Sequence, residues 1–95
     1  MMTTTTSRMA RLSVVLSDML DAAQHVGLPE PLSVGIYFGK ARIQVNADDL
    51  RAWIEWTDAK AQTPELSEHG THFHATARVD GVRVLLTAVR LGEES

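Results

Sequence analysis

Cysteine is absent from the 95-residue chain. Its absence excludes a disulfide framework, a thiolate nucleophile and a metal site built from thiolates. Proteins of the reducing cytoplasm usually lack disulfides, so we expect a cytoplasmic location.

Long apolar runs are also missing. The run LSVVL follows Arg8 and Arg11 and superficially resembles the start of a signal peptide. Asp18 and Asp21 interrupt it far short of the length that a signal peptide or a membrane span needs. We therefore expect an ordinary helix here and no membrane partner.

Positive charge is not in excess either. The chain has 9 Lys and Arg against 12 Asp and Glu, a formal net charge of -3. Dedicated nucleic-acid binders usually neutralise phosphates with a surplus of Lys and Arg. The composition therefore argues against nucleic acid as a partner, although a local basic patch remains compatible with it.

The length and the apolar fraction of 44% are those of one globular domain. Residues 1–6 include four consecutive threonines with no apolar partner, and we expect them to be disordered. We predict a single α+β domain over residues 7–91, with Ser7 as the cap of its first helix, and a polar tail over residues 92–95.

The strongest pattern is THFHATARVDGVRVLLTAVR, two alternating runs joined by Asp80-Gly81, which is a characteristic hairpin turn. This turn pairs Val79 with Val82 on an apolar face and places Arg78 opposite Arg83 on a polar face. An earlier alternating run predicts a second hairpin with Gly39-Lys40 as its turn and Phe38 opposite Ala41.

Apolar residues at helical spacing predict two helices. The first follows Ser7 and ends at Gly27, which suits a left-handed cap. The second is expected from Ala47 to about Ala61, capped by Asn46. Trp53 lies on its buried stripe, and Trp56 lies at the margin, where it is the better candidate for contact with a partner.

These elements predict a two-layer α+β sandwich in the order helix, hairpin, helix, hairpin. The expected sheet is four-stranded and antiparallel, with both helices on its apolar face. A helical return from the second strand predicts that the third strand runs parallel to it. That arrangement places Tyr37 and Arg42 near His72 and His74, at the opposite end of the open face from Arg78 and Arg83.

Three histidines form a cluster with metal-like spacing. His72 and His74 share one side of a strand, and His69 precedes them in a loop, so the three imidazoles suit zinc. The alternative interpretation is that all three are solvated, because no zinc-fold signature surrounds them. No catalytic triad or glycine-rich phosphate loop is present, and we expect no enzymatic activity.

The leading hypothesis is a non-enzymatic binding module that acts through the open sheet face, by homodimerisation or by binding a protein partner. Opposed like charges at Arg78 and Arg83 indicate an acidic partner, either Asp or Glu of another subunit or a ligand anion, and the alternative is that bulk solvent alone surrounds them. An alternative is a nucleic-acid platform, for which only Tyr37 supplies an aromatic ring on that face. The candidate binding residues are Tyr37, Arg42, Trp56, Arg78, Arg83, Leu85 and Val89.

The segments GLPEPLSV, LRAWIEW and HGTHFHATARVDGVRV resemble a group of short uncharacterised proteins encoded by actinobacteria, their phages and their integrated elements. The resemblance covers Gly27 to about Val89. It brings no assigned activity, ligand or catalytic residue. It implies a non-enzymatic accessory or regulatory role.

Overall fold

A computed structural model describes residues 8–91, which form an α+β fold with two helices and one six-stranded sheet. The elements are α1 (Arg8–His25), β1 (Ser33–Tyr37), β2 (Lys40–Gln44), α2 (Leu50–Thr57), β3 (Lys60–Ala61), β4 (Glu65–Ser67), β5 (Gly70–Val79) and β6 (Val82–Leu91). The predicted disorder of residues 1–6, the cap at Ser7 and the tail at 92–95 lie outside the described residues.

Helix α1 ends as the sequence predicts. Gly27 adopts a left-handed conformation with φ of 85°. Its N–H donates to the carbonyl of Gln24 at 3.1 Å, and the N–H of Leu28 donates to that of Ala23 at 2.9 Å. These two bonds satisfy carbonyls of the last turn in the Schellman arrangement.

Helix α2 is shorter than predicted. A 3-10 turn at Ala47–Asp49 precedes it, and Asp58 ends it in a left-handed conformation with φ of 58°. Asn46 does not cap the helix with its side chain; instead its carbonyl accepts a hydrogen bond from the N–H of Asp49 at 2.9 Å. The early stop lets the chain enter the extended strand β3 at Lys60.

The predicted four-stranded antiparallel sheet is wrong. The strand order is β1-β2-β6-β5-β3, and the short strand β4 also pairs with β5. β2 and β6 run parallel, whereas the other pairs are antiparallel. After α2 the chain reaches the far edge first, and β6 then returns between β5 and β2.

The two long hairpins differ in how well their turns are predicted. In β5–β6, Val79 pairs with Val82 and Arg78 with Arg83, as the Asp-Gly turn predicts. In β1–β2 the predicted turn is wrong, because Phe38 and Gly39 are the turn residues, with φ of 49° and 77°. Each partner therefore shifts by two positions, which leaves the side chains on their predicted faces except that of Phe38, which lies in the turn and not on the apolar face.

One face of the sheet packs against both helices, as predicted. Trp53 of α2 is fully buried, and its Nε1 donates to the carbonyl oxygen of Pro29 at 3.1 Å. Val34 of β1 pairs with the buried Ile43 on this face but is itself 43% exposed, because β1 is an edge strand. The main cluster of buried residues consists of Leu16, Met19, Ala23, Ala41, Ile43, Val45, Leu50, Trp53, Ala75, Val84, Leu86 and Ala88.

Among residues 8–91, neither helix has the length and apolar character needed to cross a membrane.

Candidate functional site

The helices leave the other side of the sheet uncovered, and we call this side the open face. Strand alternation and the observed registers assign its members. They are Ser33, Gly35, Tyr37, Lys40, Arg42, Gln44, Lys60, Glu65, Ser67, Gly70, His72, His74, Thr76, Arg78, Arg83, Leu85, Thr87, Val89 and Leu91.

The parallel pairing of β2 with β6 decides which open-face residues lie together. Arg42 pairs with Leu85, and Tyr37 pairs with Lys40 one step toward the hairpin turns. Tyr37 and Arg42 therefore lie at the end of the face that carries Arg78 and Arg83. The predicted grouping of Tyr37 and Arg42 with the histidines is wrong, because β6 and not β5 runs parallel to β2.

Most of the positive charge gathers at this end. Of the 9 Lys and Arg in the chain, Arg51 and Arg90 form ion pairs elsewhere, with Glu55 at 3.7 Å and Asp48 at 3.0 Å. We call the remaining seven the basic end. They are Arg8, Arg11, Lys40, Arg42, Lys60, Arg78 and Arg83. Within residues 8–91, none of the seven forms an ion pair, even with Asp58 or Asp80 nearby in sequence.

The first turn of α1 extends the basic end around the edge of the sheet. A Cβ built on Gly39 would lie 3.4 Å from Cδ of Arg8, and one built on Gly81 would lie 3.9 Å from Nη2 of Arg11. Arg8 thus lies against the turn of the β1–β2 hairpin, and Arg11 lies against the turn of the β5–β6 hairpin. The first turn of α1 contains no acidic residue, so the positive end of the helix dipole adds to the same potential.

A cleft of about 400 Å³ lies between these turns and α1. Five basic residues line it, and no acidic residue does. Those five are Arg8, Arg11, Lys40, Arg78 and Arg83. A second cavity, of about 570 Å³, lies beside it and is lined by Lys60 and Asp58 together with Arg78 and Arg83. The arginine pair therefore joins two cationic concavities, of which the first is entirely free of carboxylates.

Tyr37 lies flat at the rim of the basic end. Its ring covers Gly35, since a Cβ built on Gly35 would lie 2.9 Å from Cε2 of Tyr37. The guanidinium carbon of Arg42 lies 5.7 Å from the centroid of the ring. Glycine and arginine thus hold an aromatic ring against the sheet, and the residue remains 54% exposed.

Phe38 is a candidate binding residue that the sequence patterns did not indicate. It is 100% exposed at the tip of the β1–β2 hairpin and lines the cationic cleft. The predicted turn at Gly39-Lys40 lies one residue too late and therefore put Phe38 on the apolar face. The available signal was the phenylalanine immediately before Gly39, at a position where a tight turn favours asparagine or aspartate.

The other end of the open face carries two of the three candidate metal ligands. His74 Nε2 lies 3.4 Å from Oε1 of Glu65, and His72 Nε2 lies 3.1 Å from Oγ of Ser67. His69 is exposed in the loop between β4 and β5. Over residues 8–91, no group of three His, Asp or Glu side chains has a geometry that holds a metal ion, so the three-histidine zinc site is not assembled.

The remaining candidates are less accessible. Leu85 and Val89 are half-buried on the open face, and Trp56 packs edge-on against Trp53 on the helical side, with ring centroids 5.8 Å apart. Thr87 is 5% exposed at the centre of the face, and its hydroxyl finds no hydrogen-bond partner among the described residues.

This arrangement can bind anions, since it offers several unpaired cations, a concave surface and two exposed rings. Comparison of the chain with models of protein families, with curated proteins and with solved structures finds no significant match.

Proposed function

We propose that this protein is a small, cytoplasmic, non-enzymatic binding module that binds a polyanionic chain through the basic end of its open face. This is an accessory role of the kind that the sequence resemblance implies. The observation that carries the proposal is the separation of charge, because seven cations without ion pairs gather at one end of a chain whose net charge is -3.

Such a gathering is unfavourable in the free protein. Arg78 and Arg83 are directly opposed across two strands, and like charges in this position repel. A polyanion that lies across the basic end removes this repulsion and releases its own counterions. The binding free energy gained in this way is a physical reason for keeping cations that form no ion pair among residues 8–91.

The extent of the surface favours a chain over a small anion. Lys60 of the basic end is on β3, and Tyr37 at its rim is on β1, so the basic end and the Tyr37 ring together cross all five strands in the order β1-β2-β6-β5-β3. Neighbouring strands lie about 4.8 Å apart, which gives a span of roughly 19 Å. Several phosphates, sulfates or carboxylates in succession match that length.

Fluorescence anisotropy with labelled heparin oligosaccharide and labelled oligothymidylate tests the proposal. We expect both to bind, with a logarithmic salt slope of about -3 if four charges are neutralised. The variant Arg78→Ala with Arg83→Ala should weaken binding at least tenfold. The matched control is Arg51→Ala with Arg90→Ala, which removes two arginines that already have acidic partners.

Failure of both polyanions to bind at low salt would overturn the proposal. Equal losses in the two double variants would also overturn it, because binding would then follow net charge and not the basic end.

A second candidate function is self-association through the same face. The specific observation is that Glu65 lies at the end opposite Arg78 and Arg83, beside His72 and His74. A two-fold axis in the plane of the face and perpendicular to the strands would bring each basic end onto the end of the second copy that carries Glu65.

Sedimentation velocity at micromolar concentration tests self-association. We expect a dimer that Leu85→Asp and Val89→Asp each weaken while the monomer stays folded, because both residues lie on the open face. A wild-type protein that remains strictly monomeric would remove this candidate and leave the polyanion proposal intact.

A further inference from the structure

We infer that the polyanionic chain is a single-stranded nucleic acid whose bases stack on Tyr37 and Phe38 while its phosphates lie among the cations of the basic end. The inference rests on the proposed function and names the partner class. It depends on the aromatic rings, whereas the proposed function depends on the charges alone, so the two can fail separately.

The fold gives no reason for a phenylalanine at position 38. A fully exposed phenylalanine gains nothing from burial, and its φ of 49° is a conformation that bulky residues rarely adopt. Asparagine at this position would form the same turn at lower cost. The ring instead borders the cleft that five cations line, where a stacked base would bury it.

Tyr37 is positioned as a second stacking surface. Gly35 leaves the space into which its ring folds, and Arg42 lies over the ring at 5.7 Å. The ring is therefore fixed against the sheet before any ligand arrives. A base that stacks here meets both an aromatic face and a guanidinium plane, which is the combination that single-strand binders use.

The neighbouring positions of rings and cations select the partner. Tyr37 and Phe38 precede Lys40 and Arg42 in one hairpin, so rings and positive charges lie side by side. A nucleic acid presents planar bases and phosphates in the same repeating unit. An acidic polypeptide would satisfy the cations but leave both rings exposed, and a duplex keeps its base faces stacked on each other.

The experiment compares wild type with Phe38→Leu and Tyr37→Leu, which remove aromaticity but keep an apolar side chain. The control is Leu66→Ala, since Leu66 is 84% exposed and lies on β4, far from the basic end. Anisotropy is measured with labelled oligothymidylate of about 12 nucleotides, the corresponding duplex, heparin oligosaccharide and poly-glutamate, and circular dichroism checks that each variant is folded.

We expect each aromatic substitution to weaken oligothymidylate binding about tenfold and heparin binding less than about twofold, because one stacked base is lost. The single strand should bind at least tenfold more tightly than the duplex. Gly35→Ala should reproduce the loss through Tyr37, because the added Cβ displaces its ring.

Equal effects of the aromatic variants on heparin and oligothymidylate would overturn the inference and leave the proposed function standing. Tighter binding of poly-glutamate or of the duplex than of the single strand would likewise overturn it. Loss of all binding in the Arg78→Ala, Arg83→Ala variant, with no effect of Phe38→Leu or Tyr37→Leu, would also overturn it, because the surface would then recognise charge only.

Discussion

Arg78 and Arg83 face each other across the β5–β6 hairpin, and each is exposed without an ion pair in residues 8–91. Directly opposed cations destabilise a strand pair, whereas opposite charges at such a site contribute roughly 0.2–1 kcal/mol. The pair therefore weakens the hairpin in the free protein and strengthens any surface that attracts anions.

Arg83→Glu should raise the free energy of unfolding by about 0.5–1 kcal/mol, because it replaces a repulsion with an exposed cross-strand ion pair. The same variant should weaken polyanion binding. Urea denaturation and anisotropy measure the two effects. Arg90→Glu is the control with the opposite sign, since it breaks the pair with Asp48. An Arg83→Glu protein no more stable than Arg83→Gln would contradict the electrostatic explanation.

Thr87→Val should leave stability unchanged or raise it by about 1 kcal/mol. The hydroxyl of Thr87 is buried without a partner, and valine keeps the shape and the preference for a strand. Thr57→Val is the matched control, because its hydroxyl donates to the carbonyl of Trp53 at 2.7 Å, so its loss should destabilise. A Thr87→Val protein that melts well below wild type would reveal a partner for this hydroxyl.

Gly70→Ala should lower the free energy of unfolding by about 3 kcal/mol. Gly70 has φ of 147°, and an added Cβ would overlap the carbonyl oxygen of Arg90 and lie 2.9 Å from Cα of Leu91. Gly27→Ala should lower the free energy of unfolding by only about 1 kcal/mol, because the added Cβ meets open space and only the left-handed backbone is strained. Chemical denaturation of both variants compares steric overlap with backbone strain, and equal losses would refute the steric argument.

Trp53→Phe should destabilise by about 2 kcal/mol, because it leaves a cavity in the core and removes the donor to the carbonyl oxygen of Pro29. Trp56→Phe should cost less than about 1 kcal/mol, since Trp56 is only partly buried. Urea denaturation measures both. The reverse ranking would contradict the placement of Trp53 at the centre of the core.

Local patterns predicted the parts of the fold that depend on local chemistry. The end of α1 follows from Gly27, and the β5–β6 register follows from Asp80-Gly81, because a cap and a two-residue turn are specified by adjacent residues. The faces of the β1–β2 hairpin were predicted correctly apart from Phe38, but its turn was not. The alternation of the two strands fits a turn at Phe38-Gly39 as well as a turn at Gly39-Lys40.

The basic end was not predictable in the same way. It depends on the parallel pairing of β2 with β6, and no adjacent residues specify which strands meet across a helical connection. The net charge of -3 also concealed it, because a sum over the chain carries no information about where the cations lie. Phe38 was not predicted as a binding residue for a third reason. Its role depends on the position of the β1–β2 turn, which was predicted wrongly.

The place of β6 in the sheet has a consequence for folding. It is the last strand along the described chain, yet it lies between β2 and β5 and supplies the contact between the two parts of the sheet. Strand β2 therefore gains its second partner, through pairs such as Ala41 with Val84, only when β6 joins the sheet. During synthesis, the edge of the β1–β2 hairpin formed by β2 therefore has no strand partner until β6 has been made. Such non-local pairing slows folding and exposes strand edges meanwhile.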